Sequence, residues 1–74
     1  MKTTYDRSVN AAYILLEDNI YFGRVKNSYQ CDIKKVGGMI NLNFDASGKF
    51  IGIEVLGASH LLPKELLDQA EIIG

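Results

Sequence analysis

The sequence predicts an α+β fold: an antiparallel β-sheet meander of about five strands, with one C-terminal α-helix packed on one face. Three observations lead to this prediction. Residues 39–56 have the pattern of a β-hairpin, the segments before them alternate between apolar and polar side chains, and the hydrophobic period becomes helical after residue 61. Because a chain of 74 residues has room for one small core, we expect a single domain over residues 1–74.

The hairpin is the clearest element of the sequence. In residues 40–44 apolar side chains alternate with asparagines, and in residues 51–55 isoleucine and valine alternate with glycine and glutamate. Residues 45–49, Asp-Ala-Ser-Gly-Lys, are typical turn formers. The pattern therefore places two apolar strand faces side by side over one core.

Three further strands are predicted before the hairpin. Residues 2–5 form a short first strand, and the polar residues 6–10 form a turn. The second strand, residues 11–16, is apolar on both faces, which favours a central position in the sheet. The third strand is predicted to resume at Ile20, with a bulge at Gly23 and regular alternation from residue 25 to residue 33, and the glycines at 37–38 turn the chain into the hairpin.

The last segment has the spacing of an amphipathic helix. Its apolar side chains fall on one helical face: Leu62, Leu66, Ala70 and Ile73, with Leu67 beside them. Pro63 suits the first helical position, because the N–H group it lacks has no intrahelical partner there. We expect residues 57–60 to carry the chain off the sheet and the helix to pack back on it.

Charge and composition exclude several classes of protein. Eight Lys and Arg against nine Asp and Glu give a net charge of −1, which argues against direct nucleic-acid binding through a basic surface. One cysteine excludes an internal disulfide, and one histidine leaves no zinc-binding set. With no leader pattern and no apolar run of about 18 residues, we expect a cytoplasmic protein that does not enter a membrane.

Two motifs resemble a calcium site and a catalytic triad, but their residues do not fit either. Residues 43–54 have the spacing of an EF-hand calcium loop, yet the first position is neutral Asn43 and the flanks have strand periodicity where helices are needed. A triad of Ser59, His60 and Glu54 lacks a recognisable oxyanion site, and Ser59 fits better as a helix-entry residue. We therefore predict no catalytic residues, no metal site and no cofactor.

A small polar pocket at one end of the sheet remains an alternative. Its candidate ligand-binding residues are Asp6, Asn10, Tyr13 and Glu54. Asp6 has a competing interpretation, in which its carboxylate accepts hydrogen bonds from the backbone of its own turn.

The apolar surplus favours self-association. If one helix covers Ile51, Ile53 and Val55, then Phe50 and Leu56 lie on the opposite face. We expect that face, or a strand edge, to be buried against a second copy in a homodimer. Other side chains fit the same interpretation: Cys31 as a buried thiol beside Tyr29 and Ile33, and Tyr21, Phe22 and Tyr29 in the core or in a subunit interface.

Several short motifs, taken in order, resemble those of a known family. They are Tyr5-Asp6, Ala12-Tyr13-Ile14, Asn43-Phe44-Asp45 with Gly48, residues 52–56 (Gly-Ile-Glu-Val-Leu), Ala58-Ser59, and residues 62–67 (Leu-Pro-Lys-Glu-Leu-Leu). This order is similar to the DUF2283 family of small bacterial proteins of unknown function, although that family tends to have an acidic residue where this chain has Asn10. The resemblance implies a stand-alone protein without known catalytic or ligand residues.

Two functions from different classes follow. Some relatives lie beside genes for small toxin-like proteins, so the resemblance implies a non-enzymatic, partner-binding or antitoxin-like role. The alternative is a small-molecule binder or enzyme that uses the polar residues at the end of the sheet.

Overall fold

The computed structural model describes residues 1–17 and 22–74, with only the backbone of Phe22. It is an α+β fold built on one mostly antiparallel sheet. Its elements in chain order are β1 (Lys2–Asp6), β2 (Ala11–Leu15), a 3-10 turn (Phe22–Arg24), β3 (Asn27–Gln30), α1 (Ile33–Val36), β4 (Met39–Phe44), β5 (Phe50–Leu56), α2 (Ala58–Leu61), α3 (Lys64–Asp68) and β6 (Glu71–Ile72).

The described strands form a six-stranded sheet in the order β3-β4-β5-β2-β1-β6. Two antiparallel units, β1-β2 and β3-β4-β5, are joined by antiparallel pairing of β2 with β5, and β6 pairs parallel to β1. The sheet is therefore not the simple five-stranded meander that was predicted. The predicted central position of the second strand is confirmed, because β2 lies between β5 and β1.

The predicted hairpin is confirmed. β4 and β5 pair from Met39↔Leu56 onward, with a register irregularity at residues 43–44, where the loop begins. Asp45 closes that loop: its Oδ1 accepts from the N–H of Ser47 and of Lys49, at 3.0 and 2.9 Å. Gly48 has a positive φ of +84°, a backbone conformation that glycine adopts without steric cost because it has no Cβ.

The third strand is shorter than predicted, because a helix replaces its second half. Asp32 is the N-cap of α1, and its side chain accepts from the N–H of Lys34 at 3.0 Å. Gly37 ends the helix in the left-handed conformation, with φ +84°. These two caps outweigh the alternating pattern, so the predicted strand from residue 25 to residue 33 is limited to β3. Cys31, predicted to be buried, is half-buried.

The single C-terminal helix is replaced by two short helices and a strand. Leu62 is extended (φ −107°, ψ 148°), because Pro63 disfavours helical backbone in the preceding residue. Pro63, predicted at the first helical position, is thus the N-cap of α3, and the predicted linker of residues 57–60 instead contributes to α2. Ile73, predicted on the buried helical face, is 60% exposed and donates its backbone N–H to the carbonyl of Tyr5 at 3.0 Å.

The core lies where α2 and α3 pack on one face of the sheet. Its buried members are Ala12, Val55, Ala58 and Leu67. Half-buried side chains complete it: Tyr5, Ile40, Ile53, Leu61 and Leu62. Leu61 approaches the turn before β4 so closely that a Cβ on Gly38 would be 2.6 Å from its Cδ1. The helices and the α1-β4 turn are therefore packed at one end of the sheet.

Candidate functional site

Five polar side chains meet on the sheet face opposite the core. The register Tyr13↔Glu54↔Asn41 places one row across β2, β5 and β4. Asn43 and Ser28, which are partners in the β3-β4 register, lie beside that row. We call these five residues the polar face: Tyr13, Ser28, Asn41, Asn43 and Glu54.

Asn43 is the buried centre of the polar face, with 3% of its surface exposed. Its Nδ2 donates to the hydroxyl of Tyr13, and its Oδ1 accepts from Ser28 Oγ at 2.8 Å. Gly52 is the register partner of Asn43 and carries no side chain. The ring of Tyr13 can therefore lie over Gly52 and reach Asn43. Both ends of the buried amide are satisfied within the chain, as a structural polar residue requires.

Glu54 sets the electrostatics of the polar face. Its Oε1 accepts from Asn41 Nδ2 at 3.0 Å. Burial raises the pKa of the Tyr13 hydroxyl, the negative charge of Glu54 raises it further, and the hydrogen bond with Asn43 lowers it. Tyr13 is therefore a neutral phenol at physiological pH, which suits a hydrogen-bonding role better than a role as a base or nucleophile.

Asp6 belongs to the turn between β1 and β2. Its Oδ1 accepts from the N–H of Ser8 at 3.0 Å and from Ser8 Oγ at 2.5 Å. This confirms the prediction that its carboxylate is an acceptor for its own turn.

Asn10 joins that turn to α2. Its Oδ1 accepts from the Tyr5 hydroxyl at 2.8 Å and from the N–H of Ser59 at 3.0 Å, while its Nδ2 donates to Ser59 Oγ at 2.9 Å. The carbonyl of Asn10 also accepts from the N–H of Ala58 at 2.9 Å. Asn10 holds φ +54°, a left-handed conformation that asparagine tolerates better than most residues.

The four candidate ligand-binding residues therefore form two separate pairs. Tyr13 and Glu54 are register partners on the polar face, whereas Asp6 and Asn10 lie in the first turn and bond to the turn and to α2. Sequence reasoning missed Asn43, Gly52 and the role of Ser59 toward Asn10. The one available signal was Asn43 in a strand, where a buried amide needs cross-strand partners.

A shallow cleft lies beside the loop between β4 and β5. It has a volume of about 390 Å³ and is lined by Gly23, Arg24, Lys26, Asp45, Ala46 and Ser47. Arg24 bridges Glu17 and Asp45, with N–O distances of 3.4 Å to each. The backbone hydrogen bond from Lys49 lowers the pKa of Asp45, as does the hydroxyl of Ser47. The positive charge of Arg24 is thus compensated by two carboxylates of its own chain.

The residues of the two rejected motifs have other partners. Asp45 accepts three hydrogen bonds from its own loop, and Glu54 bonds to Asn41, away from that loop. Ser59 Oγ accepts from Asn10, and His60 is exposed in α2. Over residues 1–17 and 22–74, no three His, Cys, Asp or Glu side chains are grouped to hold a metal ion.

Four exposed apolar side chains belong to α1 and to the neighbouring ends of β4 and β5. They are Ile33, Val36, Met39 and Leu56, each between 36% and 45% exposed. Met39 and Leu56 are register partners, and α1 leads directly into β4 through the two glycines. We call these four residues the end patch. Other exposed apolar side chains of the described residues lie outside it: Met1, Val9, Tyr29, Phe50, Ile72 and Ile73.

The two edges of the described sheet differ in length. One edge is the two-residue strand β6, which pairs with β1 through Thr4↔Glu71 and Tyr5↔Ile72 and is exposed at both residues. At the other edge all four residues of β3 are exposed, and Tyr29 is 62% exposed. Of the other aromatic residues predicted for the core or an interface, Tyr21 and the side chain of Phe22 lie outside the described part of the chain.

The described residues form a small α+β domain in which the polar-face residues are bonded to one another and the β3 edge is exposed. The chain belongs to the family described as a protein of unknown function, DUF2283, whose model matches residues 2–59. That match includes Asn10, Ser59 and the whole polar face. Searches of curated proteins and of solved structures returned no significant match. No helix in the described residues is long and apolar enough to span a membrane.

Proposed function

We propose that this protein is a non-enzymatic protein-interaction domain that forms a homodimer and binds a second protein in an antitoxin-like manner. The observation that carries the proposal is the β3 edge of the described sheet: all four residues of β3 are exposed, whereas the strand at the other edge, β6, has only two residues. An uncovered strand edge presents unpaired N–H and C=O groups, which readily pair with another strand.

The end patch supports binding of a second protein. Met39 and Leu56 are adjacent across β4 and β5, and Ile33 and Val36 lie on the helix that precedes them. Grouped exposed apolar side chains of this kind are typical of interaction surfaces. The partner we expect presents a complementary apolar surface to this end of the sheet.

The hydrogen bonding of the polar residues supports a structural role for them. Asn43 and Asn10 each use both their donor and acceptor atoms on other residues of the chain. The proposed setting is the bacterial cytoplasm, where a free thiol such as Cys31 stays reduced.

Sedimentation equilibrium at micromolar concentrations tests the homodimer. We expect a species of twice the 8.2 kDa chain mass, in equilibrium with monomer. A monomer at every concentration up to about 100 µM would overturn the dimer.

Affinity capture from the native host tests the second partner. The tagged wild-type chain is compared with a Met39→Asp, Leu56→Asp variant and with Val9→Asp as a matched control, since Val9 is 66% exposed and outside the end patch. We expect one protein, encoded beside this gene, to be retained by wild type and control and lost with the double variant. Co-expression should relieve the growth arrest caused by that neighbour alone. Equal capture by all three chains would contradict the role of the end patch.

A further inference from the structure

We infer that two copies pair antiparallel through their β3 edges, with the two-fold axis at Tyr29, so that their sheets join into one. This inference rests on the proposed homodimer and specifies its interface. It names a second copy of this chain, in one register, as the occupant of the edge.

The backbone of β3 determines which groups are available. Cys31 donates its N–H to the carbonyl of Ile40 at 2.8 Å, and Tyr29 is the register partner of Leu42. Because inward and outward groups alternate along an antiparallel strand, the N–H and C=O of Ser28 and Gln30 point away from β4. These two residues can therefore exchange hydrogen bonds with a second strand.

One register uses those groups best. With Tyr29 on the axis, Ser28 of each copy faces Gln30 of the other, which gives two pairs that each exchange two hydrogen bonds. Lys26 then stands at the level of Asp32 of the second copy, on both sides of the axis. Shifting the axis to Gln30 would bring Lys26 level with Lys34, and shifting it to Ser28 would separate Lys26 from Asp32.

The same register covers the exposed tyrosine of the edge. Tyr29 is 62% exposed, and on the axis it would pack against Tyr29 of the second copy in a closely spaced, non-hydrogen-bonded pair. The opposite charges of Lys26 and Asp32, which lie just before and just after β3, make this segment complementary to itself when it is reversed. An unrelated peptide would need to carry the same charge pattern.

The two-fold symmetry of the pairing explains why the assembly would stop at two. The pairing uses the β3 edge of both copies, so the outermost strand on each side of the joined sheet is β6, which has only two residues. Pairing through β3 therefore closes on itself and does not extend into a fibre. Because a four-residue strand buries less area than a standard interface of about 1,200–2,000 Å², we expect a dissociation constant in the micromolar range.

Disulfide trapping tests the proposed register between the two β3 strands. In a Cys31→Ser background, the single variants Ser28→Cys, Tyr29→Cys and Gln30→Cys are oxidised mildly and separated by non-reducing electrophoresis. Only at Tyr29 are the two Cα atoms about 4.5 Å apart, within the range of a disulfide. We expect rapid cross-linking of Tyr29→Cys alone; preferential cross-linking at Ser28 or Gln30 would overturn the proposed register.

A proline substitution tests the edge itself. Gln30→Pro removes an outward N–H, while Gln30→Ala keeps it and serves as the matched control. We expect Gln30→Pro to weaken dimerisation at least about tenfold with an unchanged circular dichroism spectrum, and Gln30→Ala to dimerise like wild type.

The outcomes separate this inference from the proposed function. A dimer that is unaffected by Gln30→Pro and not trapped at Tyr29 would overturn the β3 interface and leave the homodimer standing. A monomer would overturn both the interface and the homodimer. A monomer whose capture of another protein is lost in Gln30→Pro would show that a foreign strand occupies the edge, which also overturns the inference.

Discussion

The ring of Tyr13 lies against Gly52, which is on the neighbouring strand β5, two residues from Glu54, the register partner of Tyr13. A Cβ added to Gly52 would be 3.3 Å from Tyr13 Cε1 and 3.1 Å from the carbonyl oxygen of Ile14. The ring reaches the buried Asn43 only because this position has no side chain. Gly52 is thus required by the polar face, not by a special backbone conformation.

Gly52→Ala should destabilise the protein by about 1–3 kcal/mol, because the added methyl group displaces the Tyr13 ring or the adjacent strand. Urea unfolding followed by circular dichroism measures the change. A double-mutant cycle with Tyr13→Ala locates its cause, since the cost of Gly52→Ala should fall once the ring is gone. An equal cost in both backgrounds would assign the effect to the strand backbone.

Replacing Asn10 should separate its side-chain bonds from its backbone conformation. Asn10→Gly keeps the positive φ but loses the bonds to Tyr5 and Ser59, and we expect a cost of about 1–3 kcal/mol. Asn10→Ala adds strain at φ +54° and should cost about 1 kcal/mol more. Both values come from denaturant midpoints.

Asn10→Asp should be close to wild type. A carboxylate can still accept from the Tyr5 hydroxyl and the N–H of Ser59, and the Ser59 hydroxyl can rotate to donate in turn. A loss as large as that of Asn10→Gly would contradict this explanation.

Asp45 should make stability depend on pH in the acid range. The hydrogen bond from the Lys49 N–H, with that of the Ser47 hydroxyl, holds the pKa of Asp45 below its ordinary 3.8 in the folded state. Its stabilising contribution is therefore fully present above the unfolded pKa and is lost as pH falls through the lower, folded value. Urea midpoints between about pH 2.5 and pH 6 should decline less steeply in Asp45→Asn than in wild type. Identical slopes would contradict the prediction.

Tyr13 should make the stability of the protein depend on pH in the alkaline range. Burial, and then the charge of Glu54, raise the pKa of Tyr13 above 10.0 in the folded protein. The stability linked to its neutral form is present below the unfolded pKa and is lost as pH rises through the higher, folded value. Phenolate absorbance should show one of the four tyrosines ionising late, and Glu54→Gln should bring its titration to lower pH. Tyr13→Phe, which removes that group, identifies the late component.

The sequence predicted the β4-β5 hairpin well because its signals are local. Period-two alternation, and a loop whose Asp45 bonds its own backbone, agree with the final structure. The same alternation failed before residue 33, because the Asp32 cap and the left-handed Gly37 favour one helical turn. The helical spacing after residue 61 is realised only over Lys64–Asp68, because residues 71–72 pair with β1, a long-range contact that no local pattern specifies.

For the candidate site residues, too, local hydrogen bonds could be predicted and long-range ones could not. The role of Asp6 could be predicted because its partner is Ser8, two residues away. Asn10 bonds to Ser59, 49 positions along the chain, and Asn43 bonds to Tyr13, 30 positions away. Such partners follow from strand order and register, which no local pattern specifies, so the polar face could not be predicted from the sequence alone.

The pairing of β6 with β1 also has a consequence for biosynthesis. Residues 71–72 leave the ribosome well after residues 2–6, the strand with which they pair. A nascent chain whose first strands have already folded would therefore expose that side of β1 until residues 71–72 have emerged. Ribosome-bound chains that stop before residue 71 should thus have this side of β1 free to pair with another strand.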